Sequence, residues 1–433
     1  MKSGTARGSY RWFVIGTFFV FILLHQADKL LIGPLTTPIM ESFGINEAQM
    51  GLVFSGAIVV GGIFYPLWGY LYDRFVRSRL LSLASLIWGA TTWLSAIAPT
   101  YPLFVATRAS TGIDDSSYPG LYNMAADYFE PRMRGRVNGL LQLAMPIGYL
   151  IGMVLALILG KTLGWRNIFF ITGGAGVLLS VVIFFAIREP KRGSTEPELA
   201  GVKQKKEYRF SFKEAAALFR KPTLVFLFAN GFFGVLPWQV IQSWFFRYLE
   251  TERGYDSGTV LVTMVIAVLV LAAGYPIAGS LGDAIFRRWK RGRTAVAAAG
   301  VAAGAVLLFV TLTVPTADTL LFGILLTVTA LFIPFAAPNV LATIYDVTPP
   351  EVRSTANAVA YFFEEIGSAV APALAGIIAM RYSLGTAISG ICTVAWSVCF
   401  LMLIMTTVFV PRDIAKLHQK LADRAAESEA EPG

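Results

Sequence analysis

The sequence predicts an all-α membrane protein with twelve spanning helices arranged in two related bundles of six. Three observations lead there. Of the 433 residues, 55% are hydrophobic and only 15% charged, whereas soluble globular domains carry about 25% charged residues. The charges are segregated and leave twelve apolar runs, each near the roughly 20 residues that an α-helix needs to cross a bilayer. Finally, one half of the chain repeats the other. Gly69-x-Leu71-x-Asp73, with Arg74 and Arg77, returns as Gly279-x-Leu281-x-Asp283, with Arg287. A second element, Asp127, Pro131, Arg134 and Asn138, returns as Asp346, Pro350, Arg353 and Asn357, with Gly148 and Gly367 continuing the register.

In chain order the apolar segments cover 12–34, 48–70, 79–98, 102–126, 137–159, 167–187, 222–246, 257–282, 294–314, 318–345, 355–379 and 386–410. The first, from Trp12 to Gly33, is too long for a cleavable signal and lacks a small-residue cleavage site. Lys and Arg concentrate in alternate connections, which by the positive-inside rule puts both termini in the cytoplasm of a cell-membrane protein. The net charge of +9 thus reads as membrane orientation, and no nucleic-acid partner is expected. The expected domains are a six-helix bundle over 1–188, a cytoplasmic linker over 189–221, a second bundle over 222–411 and a tail over 412–433. Within the linker, Ser211-x-x-Glu214 has capping-box spacing and predicts a short amphipathic helix on the membrane face.

Cys392 and Cys399 lie on one run, too far apart for a disulfide. His25 and His418 are the only histidines, and without paired Cys/His spacing no metal site or other cofactor is expected. The sequence offers no nucleophile–base set and no nucleotide loop, which argues against an enzyme. A duplicated chain with parallel repeats is instead a known plan for transporters.

The loop Gly69, Leu71, Asp73, Arg74, Arg77 and Arg79 resembles the signature loop of the major facilitator superfamily, with Val76 where that family often has glycine. Arg108-x-x-x-Gly112 resembles its fourth-span motif. Within the superfamily, Asp28-Lys29 and Arg108-x-x-x-Gly-Ile-Asp-Asp-Ser-Ser-Tyr118 resemble Spinster-like lipid transporters. The chain departs from them with Lys29 for arginine, Asp114 for glycine and Asp115 for glutamate. The resemblance implies the major facilitator fold and alternating access, with a lysolipid or sphingoid-like amphiphile as cargo. An organic anion carried with protons, or a hydrophobic drug for export, are the alternatives.

Charges inside a bilayer are costly, so those present tend to be paired or functional. Asp28, Asp115, Glu364 and Glu365 are the candidate proton-coupling acids, because desolvation disfavours a charged carboxylate and lets it exchange protons near neutrality. At 1.5 Å of rise per residue, Asp28 and Arg108 lie about 9 Å from the same boundary, which suggests an ion pair that either tunes the acids or simply packs. Arg108, Gly112 and Asp115 share one helical face, and Asp114 points about 100° away. Lys29, Arg108, Asp114, Tyr118, Gln142, Trp238, Gln239 and Gln242 are candidates for substrate binding or charge pairing. Gly69, Asp73, Arg74, Arg77, Gly279, Asp283 and Arg287 are expected to form a latch, with the carboxylates meeting helix N-termini across the two halves. Pro146-x-Gly148-x-x-x-Gly152 predicts a close-packing face. The expected partners are protons, the bilayer and a small amphiphilic or anionic substrate, and the expected state is a monomer.

Overall fold

The computed structural model describes residues 4–115, 117–129, 131–190, 218–349 and 352–430. Nearly all of them are helical. The first half contains α1 (Gly4–Leu31), α2 (Thr36–Phe43), α3 (Glu47–Arg74), α4 (Arg77–Ile97), α5 (Tyr101–Ser110), α6 (Gly112–Asp115), α7 (Tyr118–Tyr128), α8 (Pro131–Leu163) and α9 (Trp165–Ala186). The second contains α10 (Pro222–Thr251), α11 (Ser257–Arg288), α12 (Gly292–Thr313), α13 (Thr319–Phe332), α14 (Ala336–Val347), α15 (Arg353–Arg381) and α16 (Leu384–Ala430). The expected amphipathic helix and most of the linker lie outside the described residues.

Eleven helices are long and apolar enough to cross a membrane. The remaining crossing is made in pieces by α5, α6 and α7, so the fold is the expected twelve-span, multi-pass membrane protein. Apolar side chains cover its outside: Phe185 is 80% exposed and Leu320 77%, positions that suit lipid rather than water. Helix starts follow the sequence. Asn46 caps α3 by accepting from the Gln49 amide at 2.9 Å while the Gln49 side chain accepts from the Asn46 amide at 3.0 Å. Asp256 caps α11, and the Thr259 hydroxyl with the Thr259 and Gly258 amides holds its carboxyl below the usual range.

By its contacts the chain divides into two compact units. The first comprises Met1–Glu207, Gln242–Leu261 and Pro372–Arg381. In it, α8 lies directly on α1: a Cβ added to Gly148 would come 2.3 Å from the Leu23 carbonyl oxygen, and one on Gly152 2.4 Å from that of Ala27. Only glycine permits that approach, so the predicted Gly148/Gly152 face sets the position of α1. The end of α10 counts with this unit because Trp244 is buried and donates to the Pro372 carbonyl at 3.0 Å, and Arg247 pairs with Glu47 at 2.9 Å. The second unit comprises Tyr208–Ile241, Val262–Ala371 and Tyr382–Gly433. There Gly367 plays the part of Gly148: a Cβ would come 2.4 Å from the Phe232 carbonyl oxygen on α10. The sequence repeat is thus a repeat of packing.

Candidate functional site

The fourth crossing is where the backbone departs from the continuous helix expected over 102–126. The hydroxyls of Thr107, Ser110 and Thr111 bond back to the carbonyls of Phe104, Thr107 and Arg108 at 3.0, 2.7 and 2.7 Å. Such bonds compete with the helical ladder. The Thr111 and Ser117 amides bond only three residues back, at 3.2 and 2.9 Å, which tightens the chain locally. Pro119 follows and has no N–H to continue the ladder. The freed Ile113 carbonyl accepts from the Trp68 indole of α3 at 2.5 Å.

Because of this break both acids reach α1. His25 Nε2 lies 2.6 Å from Asp114 Oδ2 and 3.4 Å from Asp115 Oδ1. Lys29 Nζ lies 3.0 Å from Asp115 Oδ2. On the other side of the ring, His25 Nδ1 is 2.5 Å from the Tyr118 hydroxyl, which also receives the Gln26 amide at 3.3 Å. His25 and Asp114 are fully enclosed, at 2% and 1% exposed, while the Lys29 side chain is 42% exposed. The cluster therefore has a buried end and an accessible cationic end.

Asp28 and Arg108 form no ion pair. The Thr172 hydroxyl of α9 donates to Asp28 Oδ1 and the Thr92 hydroxyl of α4 donates to Oδ2 at 3.0 Å. Instead, α1 turns Asp28 toward α4 and α9. Arg108 is 4% exposed, with its Cζ 5.2 Å from the centre of the Phe169 ring, and its Nε and Nη1 have no hydrogen-bond partner. His25, which organises the cluster, is not among the site residues the sequence predicts. The signal available was its i, i+3, i+4 spacing to Asp28 and Lys29. A metal-ligating set was likewise not expected. Yet the fold brings ligand atoms of His25, Asp114 and Asp115 within 4.8 Å of one another. These atoms are instead engaged with each other and with Lys29.

The remaining predicted residues lie elsewhere. Glu364 is half-buried over Gly231, while Glu365 and Gln142 are exposed. Trp238, Gln239 and Gln242 are half-buried along α10. In the signature loops, Gly69 and Arg74 are exposed, Gly279 is half-buried and Arg287 is exposed; the Asp73 side chain lies outside the described residues. Arg77 Nη1 pairs with Asp127 at 2.7 Å and its Nε with Glu189 at 2.7 Å. In the second unit Arg293, not Arg287, binds Asp283 at 2.7 Å and also pairs with Asp346. Each of these arginines, in the first turn of α4 or at the start of α12, holds the acid that ends the fourth crossing of its own half. The described partners of Asp283 are thus internal to its unit.

A duplicated twelve-span helical bundle with an enclosed acid–base cluster defines a membrane transporter. The chain belongs to the Major Facilitator Superfamily, whose profile matches residues 17–372 and 288–431. It is 27% identical, over 87% of its own length and 90% of the relative's, to the cis,cis-muconate transport protein of Acinetobacter baylyi. It is 26% identical to protein spinster of Drosophila melanogaster over 44% of this chain and 31% of that one. Its fold matches the crystal structure of a bacterial homologue of the human lysosomal transporter Spinster, solved inward-facing and unoccupied. That match has a TM-score of 0.74 at 19% identity, covering 94% of this chain and 96% of the other. The Spinster-like resemblance drawn from Asp28-Lys29 and Arg108–Tyr118 is thereby supported.

Proposed function

We propose that this transporter carries a small organic carboxylate together with a proton. The observation that carries the reading is the Lys29–Asp115 pair at the accessible end of the cluster, with a second cation, the enclosed Arg108, on the same crossing as Asp115. With Asp115 ionised, Lys29 is committed to it. A proton on Asp115 removes the negative charge beside the Lys29 ammonium, so the cationic end of the cluster then attracts an anion more strongly. A substrate carboxylate supplies that anion. Proton and anion together leave the net charge of the site unchanged, so each favours the binding of the other, and binding linkage is reciprocal. The carboxylate nature of muconate, the cargo named for the Acinetobacter relative, supports this class. The likeness to protein spinster supports a lysolipid as the second reading.

Gradient-driven uptake and substrate exchange into proteoliposomes test this. Asp115→Asn keeps the size of the side chain but cannot cycle a proton. Gradient-driven uptake of a small dicarboxylate is expected to be lost while exchange without a gradient persists. Uptake that remains gradient-driven in Asp115→Asn contradicts proton coupling at this pair, and uptake of lysolipid alone contradicts the anion reading.

A further inference from the structure

The buried end of the cluster has no role in the exchange at Lys29 and Asp115, and its hydrogen bonds can be counted. The Tyr118 hydroxyl receives the Gln26 amide, so its single proton must go elsewhere, and the described acceptor is His25 Nδ1 at 2.5 Å. A neutral imidazole has one donor and one acceptor. With Nδ1 accepting, the ring proton sits on Nε2 and points at Asp114 Oδ2, 2.6 Å away. The opposite tautomer would give the Tyr118 oxygen two donors and leave its own proton unused. It would also set the Nε2 lone pair against two carboxylates. The ring cannot turn to escape: Phe21 stacks on it with centroids 5.7 Å apart, and Trp88 and Tyr118 meet it edge-on at 5.2 and 5.3 Å.

We propose that Gln26 and Tyr118 lock His25 as the Nε2–H tautomer, making it the residue that positions Asp114 and links the cluster's proton load to the Tyr118 hydroxyl. When the ring becomes an imidazolium both nitrogens donate. The Tyr118 oxygen then receives two protons, from Gln26 and from Nδ1, and its own O–H must swing away. Protonation is converted into a rotation on α7, and no heavy atom of the clamped ring needs to move. The groups acting on His25 are Asp114 and Asp115 from α6, Lys29 from its own helix and Tyr118 from α7, while Asp28, also on α1, acts on Asp114. From α4 it meets Trp88. The α8 contact with α1 on either side of the residue is made through Gly148 and Gly152. This role rests on the proton-coupled reading above for its use, but not for its existence.

The test uses the full chain with nitrogen-15-labelled histidine, in nanodiscs, carrying His418→Gln so that His25 gives the only histidine signal. The neutral ring is expected to show the Nε2–H pattern, turning into a mixture of tautomers in Tyr118→Phe. An Nδ1–H pattern, or an unchanged pattern in Tyr118→Phe, overturns the proposal. The second arm is uptake against pH. His25→Gln can accept from Tyr118 and donate to Asp114 without titrating, whereas His25→Ala leaves both partners bare. Uptake by His25→Gln is expected to stay within about tenfold of the parent with a flattened pH profile, and His25→Ala to fall by more than about tenfold. Equal loss in both variants, or an unaltered profile in His25→Gln, overturns the relay. Should the parent's uptake prove independent of a proton gradient, only the transport reading fails, and the tautomer result stands by itself.

Discussion

Asp28 is a carboxylate 3% exposed in the middle of a helical bundle, and the hydroxyls of Thr92 and Thr172 are its hydrogen-bond partners among the described residues. Replacing Thr172 by valine keeps the shape and strips the donor from Oδ1. A buried acceptor left without a partner costs about 1–3 kcal/mol, so Thr172→Val is expected to lower the melting temperature measurably in detergent. Thr91→Val, whose hydroxyl bonds only to carbonyls of its own helix at 2.8 and 3.1 Å, is the control with little expected change. At this scale the charged members of the site were legible, because Asp28, Lys29, Arg108 and Asp115 stand out against apolar runs. His25, Thr92 and Thr172 were not. A neutral imidazole or a hydroxyl is cheap enough in a bilayer to occur without a function, and only the fold shows which ones face a carboxylate.

The element that makes the site is the broken crossing α5–α6–α7, pressed against α3. Gly112 is the point of contact: a Cβ there would come 2.0 Å from the Ala57 carbonyl oxygen and 2.6 Å from the Gly61 amide nitrogen. Both obstacles are backbone and cannot rotate aside. Gly112→Ala is therefore expected to push α6 off α3, at about 1–3 kcal/mol for an overpacked contact, and to carry Asp114 and Asp115 out of reach of α1. Loss of uptake with a lowered melting temperature is the expected result. Unchanged uptake would mean that the acids do not need this helix contact. Gly112 is visible in the sequence as part of Arg108-x-x-x-Gly112. The break is not legible in the sequence because Thr107, Ser110 and Thr111 are compatible with either a continuous or an interrupted helix, and only the Thr111 and Ser117 amides bonding three residues back distinguish the two.

For the whole molecule, the repeat was the most legible property. Gly148 and Gly367 keep the same packing task, and Asp127 and Asp346 keep the same arginine partnership through Arg77 and Arg293. Arg293 lies outside the aligned motif that pointed to Arg287, because α11 runs on past Asp283 to Arg288 whereas α3 ends at Arg74, directly after Asp73, so the next helix and its gripping arginine start further downstream. The enclosed cluster, by contrast, is confined to the first half. The repeat in the sequence thus does not extend to the residues of the cluster. The most direct test of proton–anion coupling follows proton and substrate at once. Proteoliposomes are given a small dicarboxylate and an inward proton gradient, and internal pH is recorded alongside uptake. Substrate and protons are expected to enter together, and both movements are expected to vanish in Asp115→Asn. Uptake at full rate without a gradient and with no change in internal pH would contradict the coupling.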